Sequence, residues 1–239
     1  MQTETTTTPE FVIAIPVYDG VDLMDMAAAY EIFQWMAENW REKHVQVHLV
    51  AEKPGAVTTR GGAGAGMEFI PHKTFDMVPR VDLLWIPGGD PAALVVQMRN
   101  VNYVSFIQSR SLRAQLVTSV CEGALLAANA GLLDGFEATT HWAFINCLRE
   151  YPKVRVAPGY PRFVHSGNRV TGGGISSGLD EALYLVKIIA GDSVANQVQE
   201  TLQYFPKPPT SGSLPSTPPS CAMPQQLPIA PKPNPAAKG

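Results

Sequence analysis

The stretch 115-QLVTSVCEGALLAANAGLL-133 combines a strand pattern, a sharp junction and a helix pattern in direct succession. Residues 115–120 are predicted to form a strand, and the small-residue segment 124–130 that follows favours a helix ending at Gly131. Cys121 falls at the junction. A sharp turn there would expose the sulfur, and the positive end of the following helix would favour its thiolate. We interpret Cys121 as a candidate nucleophile; the alternative is a buried, inert cysteine.

Strands and helices alternate on both sides of this stretch, which predicts a mostly parallel sheet with helices on both faces. The glycine-rich 61-GGAGAG-66 lacks the lysine of a phosphate-binding loop and precedes a strand-like segment, so we predict a hairpin turn there. The other predicted strands are 11–18, 45–52, 67–70, 81–86, 137–141, 154–158, 162–167 and 168–174, and the predicted helices are 24–40, two between 91 and 112, 142–150, 177–190 and 192–204.

Composition narrows the class of protein. The chain has 239 residues, of which 45% are hydrophobic, and a net charge of -3, so it can bury one sizeable core and offers no basic surface for nucleic acid. No apolar run approaches the roughly 18 to 20 residues of a membrane-spanning helix. Three cysteines form neither a disulfide framework nor a zinc cluster, with Cys147 expected in the core and Cys221 exposed and incidental. We expect a cytoplasmic protein with no nucleic-acid or membrane partner.

The end of the chain differs from its body. Of 21 prolines, 11 lie between Pro206 and Pro235, and residues 206–239 contain three lysines and no acid. Such a composition disfavours packing into a core. We therefore predict a disordered N-terminal lead at 1–10, an α/β domain at 11–205 and a basic, Pro-rich disordered tail at 206–239.

Candidate site residues follow the predicted strand ends, where parallel sheets bind ligands. After one strand, the N–H groups of Gly88 or Gly89, together with that of Glu122, could form an oxyanion hole, although a plain turn is the alternative. After the first strand, Asp22 and Asp25 compete for the role of acid or base, and Asp25 could instead cap a helix.

Histidine supplies one further candidate. His141 ends another predicted strand, where it could activate the thiol or serve as a core histidine bonded to the backbone. The other histidines have no acidic or cysteine partners at the spacing of metal ligands, so we predict no metal site.

Four motifs occur together in this order: IPGG (86–89), VTSVCEGALLAANAGLL (117–133), ATTHW (138–142) and NRVTGGGISSGLDEAL (168–183). In this combination the chain resembles the ThiJ/PfpI superfamily of the class I glutamine amidotransferase-like fold, and more closely its isonitrile hydratase branch. The resemblance covers residues 11–209. It implies a flavodoxin-like α/β sandwich, a homodimer, a small-molecule substrate, no cofactor, and Cys121 as the nucleophile.

The resemblance also chooses between the two acids. Asp25, followed by Glu31, Ile32 and Phe33, has the spacing of the branch's catalytic acid, although Ala28-Ala29 replaces the usual Gly-Pro. A second departure is Glu122, which stands where isonitrile hydratases have threonine. A carboxylate there would oppose thiolate formation unless it points away.

The reaction that the resemblance implies is hydration of an isonitrile to an N-substituted formamide by a cysteine-dependent lyase. The alternatives are a non-catalytic redox or ligand sensor built on Cys121, and another cysteine-dependent hydrolase or glyoxalase-type enzyme.

Overall fold

The computed structural model describes residues 10–62 and 64–223, and a seven-stranded sheet lies at its centre. Six of the strands run parallel, and one edge strand is antiparallel to its neighbour. From that edge the order is β10 (Phe163–Ser166), β11 (Arg169–Gly172), β7 (Leu116–Ser119), β6 (Leu83–Ile86), β1 (Glu10–Pro16), β2 (His44–Ala51) and β5 (Lys73–Thr74).

Two short strand pairs lie outside this sheet. The antiparallel pair β3 (Val57–Thr58) and β4 (Glu68–Phe69) confirms the predicted hairpin around the glycine-rich stretch, of which Ala63 lies outside the described residues. The second pair, β8 (Glu137–Ala138) and β9 (Arg155–Val156), is parallel.

The α-helices are α1 (Leu23–Asn39), α2 (Pro91–Arg99), α3 (Val101–Ser111), α4 (Gly123–Asn129), α5 (Ile145–Arg149), α6 (Ser177–Ala190) and α7 (Asp192–Thr201). They pack in two groups. In one, α1 contacts α6 and α7; in the other, α2 contacts α3 and α4, and α4 also contacts α5. Two short 3-10 helices, at Phe75–Met77 and Trp142–Phe144, complete the secondary structure of the described residues.

This architecture confirms the predicted flavodoxin-like α/β fold, and most predicted elements fall within a few residues of the observed ones. The central strands are continuous apolar runs because both faces of the sheet are covered. β5 and the 3-10 helix that follows it were not predicted, since two residues are too short for a periodic signal. Among the described residues, no helix is both long and apolar enough to cross a membrane.

Trp85 on β6 joins the sheet to α1. Its ring is fully buried and meets Phe33 edge to face, with the ring centroids 5.8 Å apart. Its indole N–H donates to the backbone carbonyl of Asp25 at 2.9 Å. A large side chain with a satisfied polar group therefore holds the first turn of α1 against the centre of the sheet.

The prediction that the cysteines form no disulfide was wrong for two of the three. Cys147 on α5 is bonded to Cys221, 74 residues further along the chain. Beside this bond, the Asn146 side-chain amide donates to the carbonyl of Pro219 at 2.7 Å. Spacing along the chain does not report this pairing, because only the fold brings the two residues together. Disulfides persist in oxidising compartments, so this pair removes the cysteine-based argument for a cytoplasmic location.

Glu181 is a carboxyl group on the buried face of α6. Its side chain is completely buried, and neither of its oxygens has a hydrogen-bond partner among the described residues. Burial raises the pKa of Glu181 well above its usual range, and the charge of Asp25 raises it further. Glu181 is therefore protonated over a wider pH range in the folded protein than in the unfolded chain.

We expect Glu181→Gln to change the pH dependence of stability. The pKa of Glu181 is higher when folded than when unfolded, so its stabilising contribution is complete below about pH 4 and is lost as pH rises toward the folded pKa. Gln does not titrate, so the melting temperature of the variant should rise relative to that of the wild type as the pH increases above about 4. Asp192→Asn, at an exposed ion pair with Lys187, is the control. A pH-independent difference for Glu181→Gln would contradict the assignment.

The disulfide determines how many cysteine thiols per chain can react with a thiol reagent. Protein prepared without reductant and unfolded in denaturant should react with a thiol reagent at one site per chain, Cys121, and at three sites after reduction. Cys221→Ser should give two reactive thiols without reduction. Three reactive thiols in the unreduced wild type would contradict the bond.

Candidate functional site

Cys121 lies in a sharp turn between β7 and α4. Its backbone is left-handed, with φ of 57°, a region rarely occupied by residues other than glycine. Its N–H donates to the carbonyl of Gly173 at 2.8 Å, and the Thr140 hydroxyl donates to its carbonyl at 2.7 Å. Gly123 is required next to it, because an added Cβ would lie 2.1 Å from the carbonyl oxygen of Ile86. These contacts give the sulfur a defined direction.

Asp25 faces this turn from the first turn of α1. Its side chain is completely buried, and its Oδ2 accepts a hydrogen bond from the N–H of Gly88 at 3.0 Å. The carboxyl group therefore bonds to the loop after β6, not to the start of its own helix, whose N-cap residue is Asp22. The geometry disfavours the capping alternative for Asp25.

Glu122 turns inward toward the sulfur. It is 5% exposed, and its Oε2 has no hydrogen-bond partner among the described residues. A Cβ added to Gly88 would lie 2.7 Å from Glu122 Oε2 and 2.8 Å from Asp25 Oδ2. Glycine at position 88 therefore leaves the space in which the two carboxyl groups approach each other.

Two of the three predicted oxyanion donors, the N–H groups of Gly88 and Glu122, are engaged by carboxyl groups. The N–H of Gly88 bonds to Asp25, and the backbone N–H of Glu122 interacts with the side chain of the same residue. Gly89 packs closely against Gly20, where an added Cβ would lie 2.5 Å from the carbonyl oxygen. A substrate that uses the Gly88 or Glu122 N–H group must first displace a carboxyl oxygen.

The pKa values of the three central groups are all raised. Burial raises the pKa of Cys121 well above that of a free thiol, and the charges of Asp25 and Glu122 raise it further, while the N–H of Ile175 has a lowering effect. Burial also raises the pKa of both carboxyl groups, and Asp22 and Glu122 add to the effect at Asp25. The thiolate expected from the helix end is therefore disfavoured, because burial and neighbouring acids outweigh the helix and the Ile175 N–H.

His141 lies beside the site but is used as a packing residue. Its Nδ1 accepts from the N–H of Ala143 at 3.3 Å, at the start of the 3-10 helix Trp142–Phe144. Its ring lies against Gly174, where an added Cβ would be 2.5 Å from Cδ2. Burial lowers the pKa of His141, which favours the neutral ring. The geometry favours the core-histidine alternative over activation of the thiol.

Sequence reasoning missed several contributors to this site. Arg60, on the loop after β3, approaches Asp22 at 3.7 Å, and nothing local in the sequence indicates this. The hydroxyl of Tyr18 donates to the carbonyl of Pro87 at 3.2 Å and supports the loop that carries Gly88. Glu181 had a usable signal, because it is a charged residue on the apolar side of a helix.

The chain is similar in sequence to known proteins of two kinds. Isonitrile hydratase of Pseudomonas putida is 36% identical over 211 residues, which cover 88% of this chain and 86% of that protein. The transcriptional regulator GbdR of Pseudomonas aeruginosa is 30% identical over 145 residues, which cover 59% of this chain but only 38% of the regulator. Similarity therefore extends to an enzyme and to part of a regulator.

Solved structures and a family model give the same assignment. The crystal structure of a ThiJ/PfpI family protein from Pseudomonas syringae has a TM-score of 0.76 and 29% identity, covering 92% of this chain and 86% of that one. The crystal structure of Drosophila melanogaster DJ-1beta has a TM-score of 0.70 and 16% identity, and the match covers 81% of this chain and 98% of that one. At this identity the match shows the fold alone. The DJ-1/PfpI family model matches residues 12–188, and the chain belongs to the DJ-1/PfpI family.

Proposed function

We propose that the protein is a cysteine-dependent hydratase that converts an isonitrile into an N-substituted formamide. The observation that carries this proposal is the meeting of the Cys121 sulfur with two buried carboxyl groups, Asp25 and Glu122, whose pKa values are raised. The similarity to isonitrile hydratase over 88% of the chain supports the choice of substrate.

Asp25 supplies a proton to the substrate. A nucleophile that attacks the terminal carbon of an isonitrile leaves a lone pair on that carbon, which must be protonated. Because its pKa is raised, Asp25 keeps a proton to higher pH and can act as the general acid. The N–H of Gly88 then stabilises the carboxylate that remains.

Glu122 accepts the thiol proton. Since the pKa of Cys121 is raised, the sulfur must lose its proton during the attack and not before it. A general base works best with a pKa near the working pH, and burial shifts the pKa of Glu122 in that direction. This role belongs to glutamate and is not available to a threonine at the same position.

The proposed hydration of the isonitrile has three steps. Sulfur bonds to the isonitrile carbon while Asp25 protonates that carbon and Glu122 takes the thiol proton, which gives an S-linked thioimidate. Water adds to the same carbon, its proton returning to Asp25, and Glu122 protonates the nitrogen. The resulting adduct expels the sulfur, which takes the hydroxyl proton as the formamide carbonyl forms. One water is consumed, and every protein group regains its starting state.

A redox sensor is the competing proposal. Oxidation requires a thiolate that exists before the reaction, whereas burial and two neighbouring acids raise the pKa of Cys121. The geometry therefore favours the hydratase.

A homodimer, which the resemblance implies, remains a prediction that sedimentation of the purified protein would test.

The first activity test concerns Cys121 and Asp25. With a simple alkyl isonitrile, the wild type should form the formamide, Cys121→Ala should form none, and Asp25→Asn should lose about 10²- to 10⁴-fold in kcat because the proton donor is gone. Asp134→Asn, at a surface ion pair with Lys153, is the control and should keep wild-type activity. Formamide production by Cys121→Ala at the wild-type rate would contradict the mechanism, and none from the wild type would refute the assignment.

The second test concerns Glu122. Glu122→Gln keeps the shape but cannot accept a proton, so kcat should fall by about 10²-fold or more. The rate of the wild type should fall at low pH as Glu122 becomes protonated and at high pH as Asp25 loses its proton, and Glu122→Gln should lose the low-pH limb. If Glu122→Gln or Glu122→Thr is as fast as the wild type, Glu122 is an obstacle and not the base.

A further inference from the structure

The candidate site also brings together four potential metal ligands. The sulfur of Cys121 and one carboxylate oxygen from each of Asp22, Asp25 and Glu122 all lie within 4.8 Å of one another. Zn²⁺ binds thiolate and carboxylate ligands at about 2.0 to 2.3 Å and takes four of them in tetrahedral sites. Ligand atoms in such a tetrahedron are roughly 3.5 Å apart, so small side-chain movements would complete the set.

Two buried oxygens in this group lack partners. Asp25 Oδ1 and Glu122 Oε2 accept no hydrogen bond from the described residues, although their residues are 0% and 5% exposed. Leaving a buried acceptor unsatisfied is costly. Glu122 Oε2 borders the space beside the Cα of Gly88, as does Oδ2 of Asp25, and a cation held within the four-ligand group would compensate both carboxyl groups.

The charge of the group also calls for compensation. Three carboxylates and a thiolate would carry four negative charges within a few ångströms. Within residues 10–62 and 64–223, the basic side chain that reaches them is Arg60, which lies 3.7 Å from Asp22 and is itself half exposed. The four groups must therefore either retain protons or hold a cation. Asp22, whose side chain is 14% exposed, gives a cation its approach from solvent.

We propose that Asp22, Asp25, Cys121 and Glu122 form an inhibitory Zn²⁺ site. The ion displaces the protons of the Cys121 thiol and of the Asp25 carboxyl group to solvent and takes the sulfur lone pair in a Zn–S bond, so the sulfur can no longer attack a substrate. Binding of the ion stands independently of the proposed hydration, whereas its inhibitory effect rests on that function.

Zinc titration of the metal-free wild-type protein tests the binding. We expect one Zn²⁺ per chain, an affinity that rises at least tenfold between about pH 6 and 8 because the ligands must lose protons, and proton release measurable by calorimetry in two buffers. Co²⁺ should produce a near-ultraviolet thiolate-to-metal absorption band.

Variants assign the ligands. Cys121→Ser and Glu122→Gln should each weaken Zn²⁺ binding at least tenfold, and Cys121→Ser should abolish the cobalt band. The rings of His48 and His72, 6.5 Å apart, form a competing location, so His72→Gln is the matched control and should bind as the wild type does. Asp192→Asn is a second control, at an exposed acid.

Three outcomes would overturn the proposal. They are no stoichiometric binding at millimolar Zn²⁺, binding unchanged in Cys121→Ser and Glu122→Gln, and binding lost in His72→Gln. Failure of the proposed function looks different, because zinc would still bind while no isonitrile is hydrated. Hydration that proceeds at the same rate with the site saturated by Zn²⁺ would overturn the inhibitory role alone.

Discussion

The left-handed backbone of Cys121 costs on the order of 1 kcal/mol for a residue with a side chain, and the surrounding contacts hold it in place. The Gly173 carbonyl accepts its N–H, the Thr140 hydroxyl bonds its carbonyl, and Gly123 permits the close approach of Ile86. Because the turn is fixed, the sulfur faces the acids after β1 and the loop after β6. The first turn of α4, the position of Glu122 and the space at Gly88 all follow from it.

The electrostatic environment of Cys121 differs from that of a cysteine with a low pKa. The start of α4 and the N–H of Ile175 favour negative charge on the sulfur, but burial and two neighbouring acids oppose it, and the net direction of the Cys121 pKa is upward. Reactivity then depends on moving protons between the thiol, Asp25 and Glu122. Proton retention and cation binding are two ways of neutralising the same group, which connects the proposed catalysis to the proposed zinc site.

Much of the fold could be predicted because its signals are local. Apolar strands such as 11–18 and 81–86, alternating with helical patterns, specify a covered parallel sheet, and the strand–Cys–helix pattern predicts the turn at Cys121. The resemblance selected Asp25, which the structure places with its carboxyl group on Gly88. By contrast, the Cys147–Cys221 bond joins residues 74 positions apart, and no local pattern encodes such a contact.

The sequence by itself determined the α/β class, the order of strands and helices along the chain, and Cys121 as the candidate nucleophile, because periodicity and motif spacing are properties of neighbouring residues. Its resemblance to a known family added Asp25 as the candidate acid. Only the tertiary structure decided which way Glu122 points, that Asp25 occupies the N–H of Gly88, and that His141 packs against Gly174. Those outcomes depend on how α1, β6 and the turn after β7 pack against one another. The pKa values follow from the same packing. They depend on how deeply each group is buried and on how close the charged groups lie in space, not on their separation along the chain.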